Sequence, residues 1–433
     1  MLLSEIADFN KKRTLARGCE YSSVMMSDLE PNNKYIQKIG TNSYAGGGAK
    51  FVNGDILFAR ITPCMENGKV VLVSGLNKDE IGFGSTEFIV ITAKNKDEND
   101  FIYYLIKDQL FMSYAKGRME GSSGRQRVSW QSLADYEFKE FSTQERVRIG
   151  EFLASFDHKI ELNRKQNETL ESMCSALFKS WFVDFEPVKA KRDGRWKKGM
   201  SLPGMPEKLF DAFSDAFVET ELGDIPKGWK ISKIGEVADV VGGATPSTKE
   251  PKYWEGGSCC WATPKDLSGK TIPVLIDTKR KITDQGVEKI SSKLLPIGTV
   301  LLSCRAPVGY LAINYVETSI NQGFLALNCN ALVSNYYILY WGNYNIETIL
   351  NHSNGSIFKE LTKINLIKLP IIVPPVSILE RFNYFCDPIF EKIVSNEKEN
   401  KLLERLRDSL LPKLMSGELR APDADKFLGP CKG

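Results

Sequence analysis

The chain has 433 residues, of which 42% are hydrophobic and 26% charged, the proportions of a folded globular protein with two to four domains. That composition excludes disordered, collagen-like and disulfide-scaffold chains. No apolar run reaches the roughly 18 residues of a membrane helix, no export-signal pattern opens the chain, and 57 basic against 54 acidic residues give a net charge of only +3, so any nucleic-acid contact must come from local patches.

Short β-rich runs separated by turn residues open the chain, at Asp55–Ile61, Lys69–Val73 and Glu87–Thr92, and a helical stretch follows near 100–115. After Ser142-Thr143, an N-cap signal, a long helix is expected. Apolar and amide residues recur there at Ile149, Phe152, Phe156, Ile160, Asn163, Asn167, Leu170, Cys174, Leu177 and Trp181. Those steps of three and four residues form a near-heptad seam. The segment 186–220 is polar and rich in proline and glycine, and it reads as a long, mobile connector. Its basic run, Lys189 to Lys198, suits a solvated linker or phosphate contact equally.

The pattern then repeats. Strand-like runs fall at Thr299–Cys304, Tyr310–Tyr315 and Phe324–Leu327, with a helix near 335–350. The seam returns with an offset of 233 as Phe382, Phe385, Ile389, Ile393, Asn396, Asn400, Leu403, Arg407, Leu410 and Leu414. Pro388 should kink this second helix, and Pro412 its end. Gly54–Arg60 matches Gly298–Arg305 with one residue inserted, and 124–138 matches 355–369. The chain is therefore a tandem duplication of a mixed α/β (α+β) domain followed by a helix. At about 1.5 Å per residue each helix is roughly 50–60 Å long, and the simplest partner for its apolar stripe is the other copy, packed antiparallel. The asparagines then either fix the register or mark a solvent-exposed stretch of seam.

Catalytic signatures are missing. Gly269-Lys270-Thr271 lacks the earlier glycine of a phosphate-binding loop, because position 264 is proline. Asp157-His158-Lys159 and Glu250-Pro251-Lys252 have an acid-x-lysine spacing that is common by chance. With two histidines and no CxxC among nine cysteines, neither a zinc site nor a histidine triad is expected. The cysteine pattern suits a reducing cytoplasm. No covalent chemistry is expected of this chain.

The second half carries Glu221-Leu222-Gly223-Asp224-Ile225-Pro226-Lys227-Gly228-Trp229, Gly242-Gly243-Ala244-Thr245-Pro246, Trp261-Ala262-Thr263-Pro264-Lys265-Asp266-Leu267, Ala306-Pro307-Val308-Gly309 and Ile320-Asn321-Gln322-Gly323. The first half carries Leu177-Phe178-Lys179-Ser180-Trp181-Phe182-Val183-Asp184-Phe185. In this order, within a duplicated domain–helix layout, the chain resembles the DNA specificity subunit of type I restriction–modification enzymes. The first domain departs most, since it lacks the opening Gly-Trp and the Gly-Gly-x-Thr-Pro segment. The resemblance implies target recognition domains at 1–142 and 221–375, helices at 143–185 and 376–417 as spacer, the connector 186–220 and a tail at 418–433. It implies a non-catalytic, cytoplasmic protein that reads a bipartite, asymmetric site on double-stranded DNA and directs adenine methylation and restriction. Two methyltransferase subunits and the restriction subunits would be its partners, with S-adenosylmethionine, ATP and Mg on those subunits and no cofactor here. The alternative is a DNA-binding protein of another methyltransferase system, or a stand-alone regulator.

DNA must be read at base edges and gripped at phosphates. The candidates are Arg60 and Arg305 at matched strand ends, the loop Ser122, Ser123, Arg125, Gln126 and Arg127, and its repeat Asn354 and Ser356 with Lys359. Asn321 and Gln322 suit adenine or a buried polar role, and Lys279, Arg280 and Lys281 suit phosphates. For the two arginines a structural ion pair is the competing role. Tyr253, Trp254 and Trp261 read as core rather than as stacking platforms.

Overall fold

A computed structural model describes residues 1–122, 124–353 and 359–421. The chain divides into two compact units, the first comprising 1–161 with 400 onward and the second 162–399.

Unit one is built on two four-stranded sheets. The first is antiparallel, in the order Ala7–Phe9, Phe88–Ala93, Ile56–Ala59, Val70–Leu72. Its inner strand Ile56–Ala59 is wholly buried, as the unbroken apolar run Ile-Leu-Phe-Ala requires of a strand covered on both faces. The second sheet is ordered Gly40–Ser43, Glu20–Val24, Gly82–Gly84, Ala49–Phe51, with its middle pair parallel. The predicted helix near 100–115 is two helices, Asn99–Lys107 and Gln109–Gly117. Asp108 breaks it by adopting extended backbone between them.

Unit two repeats this plan. A five-stranded sheet runs Ala238–Gly242, Phe324–Cys329, Val300–Cys304, Val308–Asn314, Val274–Leu275. A three-stranded sheet holds Arg280–Ile282, Cys259–Ala262 and Thr318–Ile320, again with one parallel pair. Gly243 has to be glycine, because a Cβ there would lie 2.2 Å from the Asn321 carbonyl oxygen.

The long helices are Thr143–Phe178, continued by a π-turn over Lys179–Val183, and Val376–Met415. The second stays helical through Pro388 and Pro412. Proline at 388 cannot donate to the Tyr384 carbonyl and its ring crowds that oxygen, on a turn where Tyr384 is 71% exposed. Each unit takes part of both helices, and within each unit they run antiparallel. In unit one Arg407 pairs with Asp157. In unit two Asn163 donates to Glu399 at 2.8 Å, Asn396 donates to Asn167 at 2.8 Å, and Phe178 packs on Phe382.

Ile149, Phe152, Phe156 and Leu414 are buried in the core of unit one, with Leu403 and Leu410 packed against it. Trp181, Phe382 and Ile393 are buried in the core of unit two, with Leu170, Leu177, Phe385 and Ile389 against it. Ile160 is also buried. Asn163, Asn167, Asn396 and Asn400 are all at most 4% exposed. Of the two readings of these asparagines, the solvent-exposed one is therefore ruled out.

The segment after the first long helix is not a mobile connector. Glu186–Arg192 is helical, and Trp196, Met205, Leu209 and Phe213 join the core of unit two. The Trp181 indole donates to the Gly204 carbonyl at 2.9 Å and the Trp196 indole to that of Met200 at 2.8 Å. Its basic run is largely engaged internally: Lys191 donates to the carbonyls of Phe210 and Phe213, Arg195 pairs with Glu186, and Lys198 pairs with Asp211.

Candidate nucleic-acid interface

In unit one, three strand ends meet. Arg60, just past the strand Ile56–Ala59, donates its backbone N–H to the Glu87 carbonyl and accepts from Val128 N–H, both at 3.0 Å. The loop that carries Ser122, Arg125 and Gln126 folds back on itself, with Glu120 bridged to Arg127 and Arg125 N–H on the Ser122 carbonyl. Gln126 N–H donates to the Thr62 hydroxyl at 3.1 Å. Ser122 and Arg125 are exposed. Ser123 lies outside the described residues.

Glu87 holds this cluster together. Arg127 donates from Nε to both its carboxylate oxygens at 3.0 Å and from Nη2 to Oε1 at 2.7 Å. Arg60 donates from Nε to Oε2 at 3.2 Å. The bonds from Arg127, reinforced by Arg60, hold the Glu87 carboxyl below its ordinary pKa although burial pushes it up. The same bonds raise the Arg127 guanidinium. Arg60 thus makes the structural ion pair weighed against its DNA role, Arg127 makes one too, and both remain partly open to solvent, at 35% and 41% of their side chains.

In unit two the corresponding strand ends also converge. Cys304 N–H donates to the Gly323 carbonyl at 2.8 Å and Leu361 N–H to the Cys304 carbonyl at 2.9 Å. Arg305 bridges Glu360, its guanidinium 3.7 Å from the carboxylate. This register corrects the sequence match. Val128 bonds to Arg60 as Leu361 bonds to Cys304, and Ile61 bridges Arg127 as Arg305 bridges Glu360. Arg60 therefore corresponds to Cys304 and Ile61 to Arg305, with no inserted residue. The caps Ser129 and Thr362, each accepting from the N–H three residues on, likewise put the following segment two residues away from the offset that the sequence match assigned.

Asn321 accepts from Gly323 N–H through its side chain at 2.9 Å, and the exposed Gln322 accepts from the Thr245 hydroxyl. The basic strand lies alongside. Lys279 N–H donates to Asp266 at 2.8 Å and leaves its side chain exposed. Arg280 lies 3.8 Å above the Trp254 ring and 5.1 Å from that of Trp261, the geometry of a cation–π contact. Lys281 is bound to Asp277 and lies 2.9 Å from the Cys260 sulfur. Burial lowers its pKa, but those two partners outweigh it and the net shift is upward. Lys281 is thus occupied inside the domain. Trp261 is core, at 3% exposure, whereas Trp254 is half-buried and carries the Arg280 guanidinium. Lys359 is exposed. Asn354 and Ser356 lie outside the described residues.

Two residues were missed in the sequence. Glu87 carries no local signal beyond standing before a strand, although it corresponds to Gly323 in the repeat. Lys34 is 3% exposed and pairs with Asp100 at 2.6 Å; a lone lysine in a polar stretch gives no hint of burial. Among the described residues no cluster of histidine, cysteine and acidic side chains suits a metal ion, and no helix is long and apolar enough to cross a membrane.

Comparisons with known proteins agree on one family. The family model for the type I restriction modification DNA specificity domain matches residues 1–172 and 226–405, one copy for each half of the duplication. The HindI type I restriction enzyme specificity subunit of Haemophilus influenzae is 28% identical over 90% of this chain and 92% of its own length. The MjaIX specificity subunit of Methanocaldococcus jannaschii is 27% identical over 77% of this chain and 72% of its own. Among solved structures, the type I restriction–modification S subunit from M. genitalium aligns over 96% of this chain and 95% of its own with a TM-score of 0.53 at 15% identity, which is a likeness of fold. With the family model covering both halves of the duplication, the chain belongs to the type I restriction–modification DNA specificity family.

Proposed function

We propose that this chain is the non-catalytic DNA-recognition subunit of a type I restriction–modification complex. Each target recognition domain, 1–142 and 221–375, reads one part of a bipartite, asymmetric DNA site. The paired helices act as the ruler that sets the gap between the two half-sites. Two methyltransferase subunits bring S-adenosylmethionine and methylate adenine, and restriction subunits bring ATP- and Mg-dependent cleavage, in the cytoplasm. The observation that carries this reading is the duplication: two domains of one plan, each bringing an arginine to the end of its buried strand, Arg60 in the first and, one place further on, Arg305 in the second.

A net charge of +3 offers no bulk cationic surface, so the grip on phosphates has to come from local side chains. Exposed Arg125, Lys279 and Lys359 suit phosphates, while the polar Gln322 suits a base edge.

Genome-wide mapping of methylated adenine, with and without this gene, is the test. A two-part motif that vanishes with the gene is the expected result. Exchanging residues 1–142 for those of a relative should then change one half of that motif; a change in both halves overturns the modular reading.

A further inference from the structure

Arg127 and Arg60 share Glu87 but use it differently. Arg127 spends its whole fork within the protein: Nε and Nη2 on Glu87, and Nη1 on the Arg125 carbonyl at 3.3 Å. Arg60 is held only through Nε. Its two terminal nitrogens, with four N–H groups, make no hydrogen bond among the described residues. The residue is anchored at its base by backbone bonds to Glu87 and Val128. A fork fixed at one nitrogen and open at the other two is oriented before any ligand arrives, and its ordering entropy is already spent on folding.

We infer that Arg60 reads a guanine in the half-site of the first domain, that Glu87 orients its fork, and that Arg127 braces Glu87. This rests on the DNA-recognition role proposed above and deepens it. The acceptors O6 and N7 of guanine match a guanidinium presenting two parallel donors. A phosphate contact is indifferent to such orientation, since it depends mainly on charge. Here two cations share one carboxylate, so the cluster carries about one net positive charge, less than the two free arginines would offer a phosphate. Arg125 is exposed, pairs with no carboxylate among the described residues, and suits the sequence-independent grip. The second domain holds Cys304 at the corresponding place, so the assignment is confined to the first.

The test uses the full-length chain co-expressed with its modification subunits and duplexes carrying every single-base change in the mapped motif. Arg60→Ala and Arg60→Lys should each lose about ten- to hundredfold discrimination at one guanine, with other positions and the salt dependence of binding unchanged. Lysine keeps the charge but lacks the fork, so its failure to rescue is the signature of bidentate reading. Glu87→Gln should loosen selectivity at that same guanine, and Glu87→Asp should preserve most of it. Thermal melting of each complex separates these effects from unfolding. Equal weakening on all sequences, with the salt slope reduced by about one, assigns Arg60 to a phosphate and overturns the inference; so does unchanged selectivity. An unsubstituted complex with no sequence preference overturns instead the function on which the inference rests.

Discussion

Asn396 donates from Nδ2 to Oδ1 of Asn167 at 2.8 Å, and both side chains are wholly buried. The pair sits where the seam pattern asks for apolar residues. Asn396 also donates to Gln166 at 2.9 Å, and Asn167 donates to Glu397 at 3.0 Å. A buried amide so engaged specifies register at some expense of stability. Asn167→Leu leaves one buried N–H of Asn396 unpaired, beside an Oδ1 that already has no partner among the described residues, which should cost about 1–3 kcal/mol, and Asn396→Leu should likewise unpair Asn167. The double leucine variant should lose less than the two single losses together, because no lone amide remains. Urea midpoints of the three variants against the parent measure this; additive losses would mean that the pair does not act as a unit.

A second expectation concerns the start of the first long helix. Arg146 is 5% exposed and grips Glu98, itself 3% exposed, through Nε at 2.9 Å and Nη2 at 3.1 Å. It also donates to the Phe141 carbonyl and the Thr143 hydroxyl. Arg146→Met leaves a buried carboxylate unpaired and should destabilise by about 3–5 kcal/mol. The paired change Arg146→Met with Glu98→Leu should restore much of that. Guanidinium unfolding curves monitored by helical circular dichroism decide between the two outcomes.

The pH dependence has a predictable sign. Lys107 donates its ammonium to the carbonyls of Pro31 and Gly68 at 2.7 and 3.1 Å. Burial pulls its pKa down to about 8 from an ordinary 10.5. Between those values the unfolded chain holds more protons than the folded one, so stability rises with pH across that window. Lys34, lowered by burial despite Asp100, adds in the same direction. The lysine share of the stability should therefore climb between pH 8 and 10, against the opposite pull of the Cys304 and Cys329 thiols, which burial holds above their ordinary value. Lys107→Met should be less stable throughout, having lost two hydrogen bonds, and should show a shallower climb. An unchanged slope would mean that Lys107 stays charged in the folded state.

The sequence is legible where a period or a repeat amplifies weak signals. The seam from Ile149 to Trp181 declares a helix because ten residues agree on one phase, and its recurrence 233 residues on names the partner. The strands around Leu57 and Leu301 declare themselves as apolar runs between turn residues. The connector failed for the opposite reason. Trp196, Met205, Leu209 and Phe213 have no common period, and the prolines and glycines between them read as a linker although they only shape its turns. The equivalence of Arg60 with Arg305 failed because apolar strands tolerate a one-residue slip in a sequence match, while in a sheet that slip changes which face a side chain meets. Ion pairs such as those at Glu87 were invisible, since their partners lie 27 and 40 residues away along the chain.

The proposed spacer role yields the most direct prediction. Seven residues added to each long helix, at 161/162 and at 399/400, preserve the seam because a heptad nearly restores the helical phase. At about 1.5 Å per residue the insertion lengthens each helix by about 10 Å, or about three base pairs of DNA at 3.4 Å each. The mapped motif should keep both half-site sequences while its central gap grows by about three base pairs. A heptad in one helix alone leaves Asn167 on Asn396 but slips Asp157 away from Arg407, and it should impair assembly rather than lengthen the gap. Methylation maps from the three strains read the outcome directly. A gap that stays fixed in the doubly lengthened protein would show that something other than these helices sets the distance between half-sites.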